Sequence, residues 1–168
     1  GAAFGCNYKS RQKGRALHYN QLMAKDKRYC SLRSLLKTGD LFNADFAYHY
    51  VPTHVDIFDG DTFAHNPVEF HVVCTDVETG KAVYKRLDKV DYDALEWIRA
   101  SSSMPLCSRV VELEGHKLLD GGVADSIPLE YAESQGWQRN VVILTQPQGY
   151  VKKPNKLMPL MRLSLRKY

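Results

Sequence analysis

The stretch that most constrains the fold runs over residues 110–124, VVELEGHKLLDGGVA, and it predicts a β-hairpin. Two apolar-rich runs flank the dipeptide Glu114-Gly115, and glycine tolerates the positive φ that such turns require. The returning strand ends at Asp120, which Gly121 and Gly122 follow. Backbone without a Cβ leaves room for another group beside the carboxylate, although Asp-Gly is also a common turn dipeptide.

Two further stretches predict strands that are covered on both faces. Residues 68–75, VEFHVVCT, and 140–145, NVVILT, are rich in β-branched residues and almost continuously apolar. Helical spacing of apolar residues is found between and before them, for example over 15–25 and 91–101. Buried strands separated by helices predict an α/β fold with helical layers on both sides of a sheet.

Shorter elements are expected around this sheet. Residues 82–86 are expected to pair back on the strand at 68–75, and residues 31–37 are expected to be helical. The aromatic-rich residues 41–50 predict a helix packed on two sides, whose rings could also contact acyl chains. Asp59 belongs to an acidic cluster that lacks most of a calcium loop, so the cluster predicts a turn and a helix cap.

The composition is typical of one globular domain. The chain has 168 residues, of which 44% are hydrophobic, and no apolar run approaches the ~20 residues of a membrane helix. Its four cysteines form no C-x-x-C pair, which predicts reduced, mostly buried thiols in a cytoplasmic protein. The sequence has no metal-binding or nucleotide-binding motif, so we expect no metal and no cofactor.

The basic charge is concentrated in the C-terminal segment 152–168. That segment carries six basic residues and no acid, so the net charge of +4 leaves −2 for the remaining residues. A nearly balanced body indicates no face for nucleic acid. The apolar residues of the segment allow a membrane-surface helix or a loop and helix packed on the domain. Pro154 and Pro159 favour the second, because proline breaks a long helix.

The order of these features resembles the patatin-like phospholipase family, specifically its bacterial branch. The small residues GAAFG open the chain, ASSSMP precedes the hairpin and the Asp-Gly-Gly triplet, and the likeness extends from Gly1 to about Pro147. In that family a serine in a G-x-S-x-G nucleophile elbow works with the aspartate of such a triplet. The resemblance implies a partial three-layer α/β domain over 1–168, truncated at both ends, with a mostly parallel central sheet.

The resemblance also implies roles for individual residues. Asp120 is expected to be the catalytic base of a serine–aspartate dyad, with Gly121 and Gly122 contacting a lipid ester substrate. No G-x-S-x-G occurs in these residues, and Gly1 matches the last position of the elbow. The nucleophile is therefore expected two residues before Gly1, and this chain alone is predicted to be inactive. An alternative is that Gly1 is a remnant of cloning.

Other interpretations remain open. The chain could be a non-catalytic module that binds a membrane surface through residues 152–168. It could also be an enzyme that uses Asp120 together with Asp125. The serines at 101–103 predict the end of a helix before Met104-Pro105 and not a nucleophile, because no histidine lies at a revealing spacing. Peripheral membrane contact is a further expectation, and the sequence leaves the oligomeric state open.

Overall fold

The computed structural model describes residues 1–31, 34–36, 39–147, 149–151 and 158–166. The elements, in chain order, are α1 (Ala2–Lys9), α2 (Arg15–Lys25), a π-helix (Asp45–Tyr50) that continues into α3 (Val51–His54), α4 (Gly60–His65), β1 (His71–Asp76), β2 (Ala82–Arg86), α5 (Tyr92–Ala100), β3 (Val111–Leu113), β4 (His116–Asp120), a 3-10 turn (Gly121–Val123), α6 (Leu129–Ser134) and α7 (Met158–Leu165). Over these ranges every helix is too short or too polar to cross a lipid bilayer.

The four strands form one sheet in the order β2-β1-β4-β3, and every neighbouring pair is antiparallel. The expectation of a mostly parallel sheet was therefore wrong. The physical reason is connectivity, because β1–β2 and β3–β4 are hairpins whose tight turns impose antiparallel pairing. In the second hairpin, Glu114 and Gly115 take positive φ values of 50° and 81°, so the predicted hairpin is confirmed.

Residues 140–145 do not form the second buried strand that their sequence predicts. Within the described ranges they pair with no strand, and Val141 and Ile143 are 92% and 88% exposed. β1 already has β2 on one side and β4 on the other, so neither of its edges is open to this segment. An extended segment without a neighbouring strand has no partners for its backbone groups, and it is not a strand.

The core lies between the sheet and α5. Trp97 of α5 is buried at its centre, where it packs with Val72 and Leu118 from the sheet. Complete burial of such side chains stabilises the fold by roughly 1.5–3 kcal/mol each. α6 contacts the opposite face of the sheet at β2, where Tyr131 stacks on Tyr84 with ring centroids 3.9 Å apart, although no residue of α6 is buried. Helices therefore lie on both faces, as predicted.

Several local predictions have clear outcomes. Asp59 caps α4 by accepting a hydrogen bond from the Thr62 amide at 2.8 Å, as expected. The helix expected over 41–50 begins only at Asp45 and is a π-helix, while Phe42 forms an isolated antiparallel bridge with Cys30. Of the helix expected over 31–37, residues 34–36 are helical, and 32, 33 and 37 lie outside the described residues. Residues 152–157, 167 and 168 of the C-terminal segment also lie outside them.

Candidate functional site

Asp120 is the last residue of β4, and the fold holds its backbone from two sides. Its amide donates a hydrogen bond to the Ser103 carbonyl at 2.9 Å, just beyond α5. Its own carbonyl accepts one from Thr75 Oγ1 of β1 at 2.8 Å. Asp120 pairs with Cys74 in the sheet, so its side chain lies on the face that α1 and α5 cover.

The carboxylate of Asp120 has one engaged oxygen and one available oxygen. The Gly122 amide donates to Oδ1 at 2.7 Å, which caps the 3-10 turn. Among the described residues nothing donates a hydrogen bond to Oδ2, and this oxygen is not a buried, unpartnered atom. An oriented carboxylate with a free oxygen has the geometry of a general base.

The surroundings of the two glycines after Asp120 explain why a larger residue would not fit at either position. A Cβ on Gly121 would lie 2.2 Å from the Val73 carbonyl oxygen, so only glycine allows the turn to approach β1 this closely. A Cβ on Gly122 would lie 3.1 Å from Asp120 Oδ1. These contacts position the carboxylate, and the expected contact of both glycines with substrate stays a prediction.

Asp120 lines a cavity of about 300 Å³, which we call the polar cavity. Gly1 and Ala3, at the amino end of α1, line the same cavity. Arg99 and Ser101, at the carboxyl end of α5, form another part of its wall, together with Tyr48 of the π-helix. The structure thus brings the start of the chain and the end of β4 to one space, although more than a hundred residues separate them in sequence.

A smaller cavity of about 50 Å³, the apolar cavity, adjoins it and shares the wall residues Ala3, Tyr29 and Tyr48. Most of the remaining wall is apolar, with side chains such as Leu95 and Ile98. Burial raises the pKa of the Tyr48 phenol, and the negative charge of Asp120 raises it further. The shared wall is therefore uncharged at neutral pH.

Cys6 and Arg15 also line the apolar cavity, and each has a defined environment. Burial raises the pKa of the Cys6 thiol to about 11, so the thiol stays protonated. The buried guanidinium of Arg15 donates to Asn7 Oδ1 at 3.0 Å and to the carbonyl of Asp56. It also lies over the ring of Phe58, with its Cζ 5.3 Å from the ring centroid. The two terminal nitrogens of Arg15 are thus engaged by the protein, while its buried Nε forms no hydrogen bond among the described residues and lies 3.5 Å from Asp56 Oδ1.

Arg99 is a site residue that sequence reasoning missed. Its Nε donates to Glu96 Oε1 at 2.9 Å, and His49 Nε2 lies 2.8 Å from the same oxygen. Burial opposes the charged form of Glu96, but the hydrogen bonds from Arg99 and His49 outweigh it and lower the pKa of Glu96. The available signal was a Glu-x-x-Arg pair in a predicted helix directly before the serine cluster.

The other polar residues singled out from the sequence have structural partners. Ser102 and Ser103 donate to the carbonyls of Ile98 and Arg99 at the end of α5, which fits the predicted helix end. Tyr84 donates to Asp125 Oδ2 at 2.6 Å, and that hydrogen bond raises the pKa of Tyr84 to about 12. Asp120 and Asp125 therefore have different surroundings. Across the described residues no group of three metal-binding side chains was found.

Comparison with known proteins supplies the family. The model of the family described as "Patatin-like phospholipase" matches residues 1–133. "Uncharacterized protein YjjU" of Escherichia coli (strain K12) is 50% identical over 54 residues. The aligned part is 32% of this chain and 15% of that protein, so the similarity covers only a small part of the relative.

Proposed function

This chain belongs to the patatin-like phospholipase family, and on that premise we propose that it supplies the catalytic aspartate of a lipid acyl hydrolase. Asp120 is the proposed base of a serine–aspartate dyad. The observation that carries the proposal is the shared polar cavity, whose wall includes both Asp120 and Gly1. A serine placed two residues before Gly1 would then lie beside the carboxylate.

The proposed reaction has two stages. The serine oxygen attacks the ester carbonyl while its proton passes to Asp120 Oδ2, and the proton then goes to the departing alcohol. Water next attacks the acyl-enzyme, again giving a proton to Asp120, and the serine is regenerated with release of the fatty acid. A carboxylate is a weak base toward an alcohol, so direct contact with the hydroxyl is needed. The bond from Gly122 to Oδ1 supports this by fixing the carboxylate.

The two cavities support a lipid ester as substrate. A small part of the acyl chain would enter the apolar cavity, whose volume is about 50 Å³, and burial of each CH₂ contributes about 0.8 kcal/mol. The ester and the polar part would occupy the polar cavity, on the other side of the shared wall at Tyr48. No metal or other cofactor is part of this proposal.

We also propose that the C-terminal segment holds the enzyme on anionic membranes in the cytoplasm. Leu160 and Leu163 of α7 are exposed, and the segment 152–168 carries six basic residues without an acid. Sedimentation with vesicles containing phosphatidylglycerol should show binding that is lost on deletion of residues 152–168. Unchanged binding by the shortened chain would remove this part of the proposal, as would equal binding to uncharged phosphatidylcholine vesicles.

Ester hydrolysis by a protein extended upstream of Gly1 tests the dyad. We expect a G-x-S-x-G sequence there and activity on short-chain esters and phospholipids. Asp120→Asn should lower kcat by about 10²–10⁴-fold, because the base is lost while the fold is kept. The matched control is Asp125→Asn, which should keep near-normal activity because Asp125 binds Tyr84.

The outcomes separate the alternatives. Full activity of the Asp120→Asn protein would refute the dyad. Equal loss in both variants would favour an enzyme that uses the two aspartates together. The chain that begins at Gly1 should show no hydrolysis in the same assay, and turnover by that chain would contradict a nucleophile upstream of it.

A further inference from the structure

Tyr48 separates the polar cavity from the apolar cavity. It lines both spaces, as do Ala3 and Tyr29. Its ring packs against both hydrophobic clusters of the core, one around Trp97 and the other around Phe46. Ala3 packs against the first cluster and Tyr29 against the second. Tyr48 lies in the middle of the π-helix, a rare form that is found frequently at functional sites. The ring is therefore a wall held between two parts of the core.

The apolar cavity has room for a short apolar group. Its volume is about 50 Å³, whereas a cavity of roughly 150 Å³ holds the six carbon atoms of benzene. By that measure, it holds about two carbon atoms of an acyl chain. Its wall includes the buried guanidinium of Arg15, whose Nε lies 3.5 Å from Asp56 Oδ1. Enlarging the cavity on that side would separate a buried ion pair, which is strongly unfavourable.

The polar cavity is larger, about 300 Å³, but it is poorly suited to a long acyl chain. In the proposed function it holds the ester and the alcohol part of the substrate. Its wall includes apolar side chains such as Met104, but also the carboxylates of Asp40 and Asp120 and the guanidinium of Arg99. A chain laid against these charges would displace the water that hydrates them, and this loss opposes the gain from each methylene. Carbon atoms that do not fit the apolar cavity therefore gain little binding energy here.

We infer that Tyr48 is a specificity-determining residue, because its ring limits to about four carbon atoms the part of an acyl chain that the site binds. The carbonyl carbon lies beside Asp120 and the next carbon at Tyr48, which leaves two for the apolar cavity. The inference rests on the proposed function, since it takes the ester carbonyl to lie at Asp120. Esters of butyric acid therefore bind as tightly as esters of longer acids, whose remaining carbon atoms stay outside the apolar cavity.

Binding of N-methylalkanamides to the chain that begins at Gly1 tests this limit. These amides carry the carbonyl and the alkyl chain but resist hydrolysis, and chemical-shift titration of the isotope-labelled chain measures millimolar affinities. In the unmodified chain, affinity should rise about two- to fourfold per methylene up to the butanamide and change by less than about twofold from there to the octanamide. In Tyr48→Ala it should continue to rise, so that the octanamide binds about tenfold more tightly or better. Parallel chain-length curves for the two proteins would overturn the inference.

Two further tyrosine variants serve as controls. Tyr48→Phe should keep the plateau beyond the butanamide, because the ring and not the hydroxyl forms the wall, and loss of the plateau would contradict this role. Tyr8→Ala should leave the curve unchanged, since Tyr8 is 79% exposed on α1. Shifts at the amides of Leu95 and Ile98 would locate the ligand in the apolar cavity, and binding without them would also overturn the inference.

The remaining variants protect against misfolding and separate this inference from the dyad. Should Tyr48→Ala fail to fold, Tyr48→Leu removes the ring but keeps an apolar side chain, and it should also lose the plateau. Leu95→Phe fills part of the apolar cavity and should move the plateau to a shorter amide, whereas an unchanged curve would contradict the inference. Full hydrolysis by Asp120→Asn in the extended protein, with the plateau intact, would refute only the dyad. Parallel curves together with hydrolysis that depends on Asp120 would refute only the role of Tyr48.

Discussion

The segments 71–76 and 140–145, HVVCTD and NVVILT, both have a polar residue followed by Val-Val, but they have opposite structures. In β1, Val72 and Cys74 are fully buried, with exposed fractions of 0%. At the matching places in the second segment, Val141 and Ile143 are almost fully exposed. β1 has a strand on each side and α5 above it, whereas the second segment lines a cavity beside α6 together with Ile127 and Leu129. An apolar, β-branched pattern thus becomes a strand only where a neighbour can pair with it.

The largest expected effect comes from placing a charge in each segment. Val72→Asp should destabilise the fold by about 4 kcal/mol or more, because an unpaired carboxylate would be buried beside Trp97. Val141→Asp should change the free energy of unfolding by less than about 0.5 kcal/mol, since that side chain is already in water. Urea unfolding followed by circular dichroism measures both. Similar losses in the two variants would show that the segments are equivalent in solution.

A glycine substitution tests how closely the chain packs on β1. Gly121→Ala should cost about 3 kcal/mol, because its Cβ would overlap the Val73 carbonyl and the backbone must move. Gly60→Ala is the matched control, since no atom lies within 4 Å of its Cβ and alanine favours the helix that begins there. Thermal unfolding should separate the two by several degrees. A stable Gly121→Ala protein would mean that the turn does not approach β1 this closely.

Asp76, at the end of β1, is expected to make a pH-dependent contribution to the free energy of unfolding. A hydrogen bond from His116 lowers the pKa of Asp76, and backbone amides beyond the strand add to this. A lowered pKa in the folded state stabilises the protein above the ordinary carboxyl pKa, and this stability is lost as pH falls through the folded-state value. Asp76→Asn should therefore cost about 2 kcal/mol at pH 7 and progressively less below about pH 4. Unfolding measured from pH 7 to pH 2 checks this, with exposed Glu133→Gln as the control near 140–145.

The smallest effect is expected at the threonine of each segment. Thr75 Oγ1 donates to the Asp120 carbonyl and accepts from the Ala124 amide, so Thr75→Val should cost about 1 kcal/mol. Thr145→Val should have almost no effect because its side chain is exposed. Denaturant midpoints of the two variants measure the difference. An equal shift would indicate that Thr75 does not connect β1 to Asp120.

The sequence predicted the parts of the fold that depend on local interactions. The hairpin around Glu114-Gly115, the pairing of 82–86 with the preceding strand and the cap at Asp59 follow from turn chemistry and short-range spacing. The unpaired structure of residues 140–145 was not predicted, because strand pairing depends on a distant strand edge that no local pattern encodes. The antiparallel pairing of β1 with β4 was missed for the same reason, whereas the two hairpin pairings were predicted.

In the candidate site, too, the sequence predicted the residue that a local pattern marks and missed the one that only the tertiary structure reveals. Asp120 was singled out because the triplet Asp-Gly-Gly marks it locally, and the structure adds the contact of Gly121 with β1. Arg99 was missed, because a salt-bridged arginine on a helix is common and nothing in the sequence shows that one edge of it meets a cavity. Membership of one cavity is a property of the tertiary structure, and spacing along the chain does not reveal it.

The hydrogen bond from the Asp120 amide to the Ser103 carbonyl connects the end of β4 to the residues that follow α5, and core packing of Leu118 against α5 supports the same junction. Both partners of this hydrogen bond are backbone groups, so substitutions of side chains do not remove either of them. Side chains of the cavity wall such as Met104 and Phe42 are not part of this junction, so substitutions there change the shape of the polar cavity without changing the junction. The distance between the end of β4 and the end of α5 would persist, because changing it requires a different junction of strand and helix.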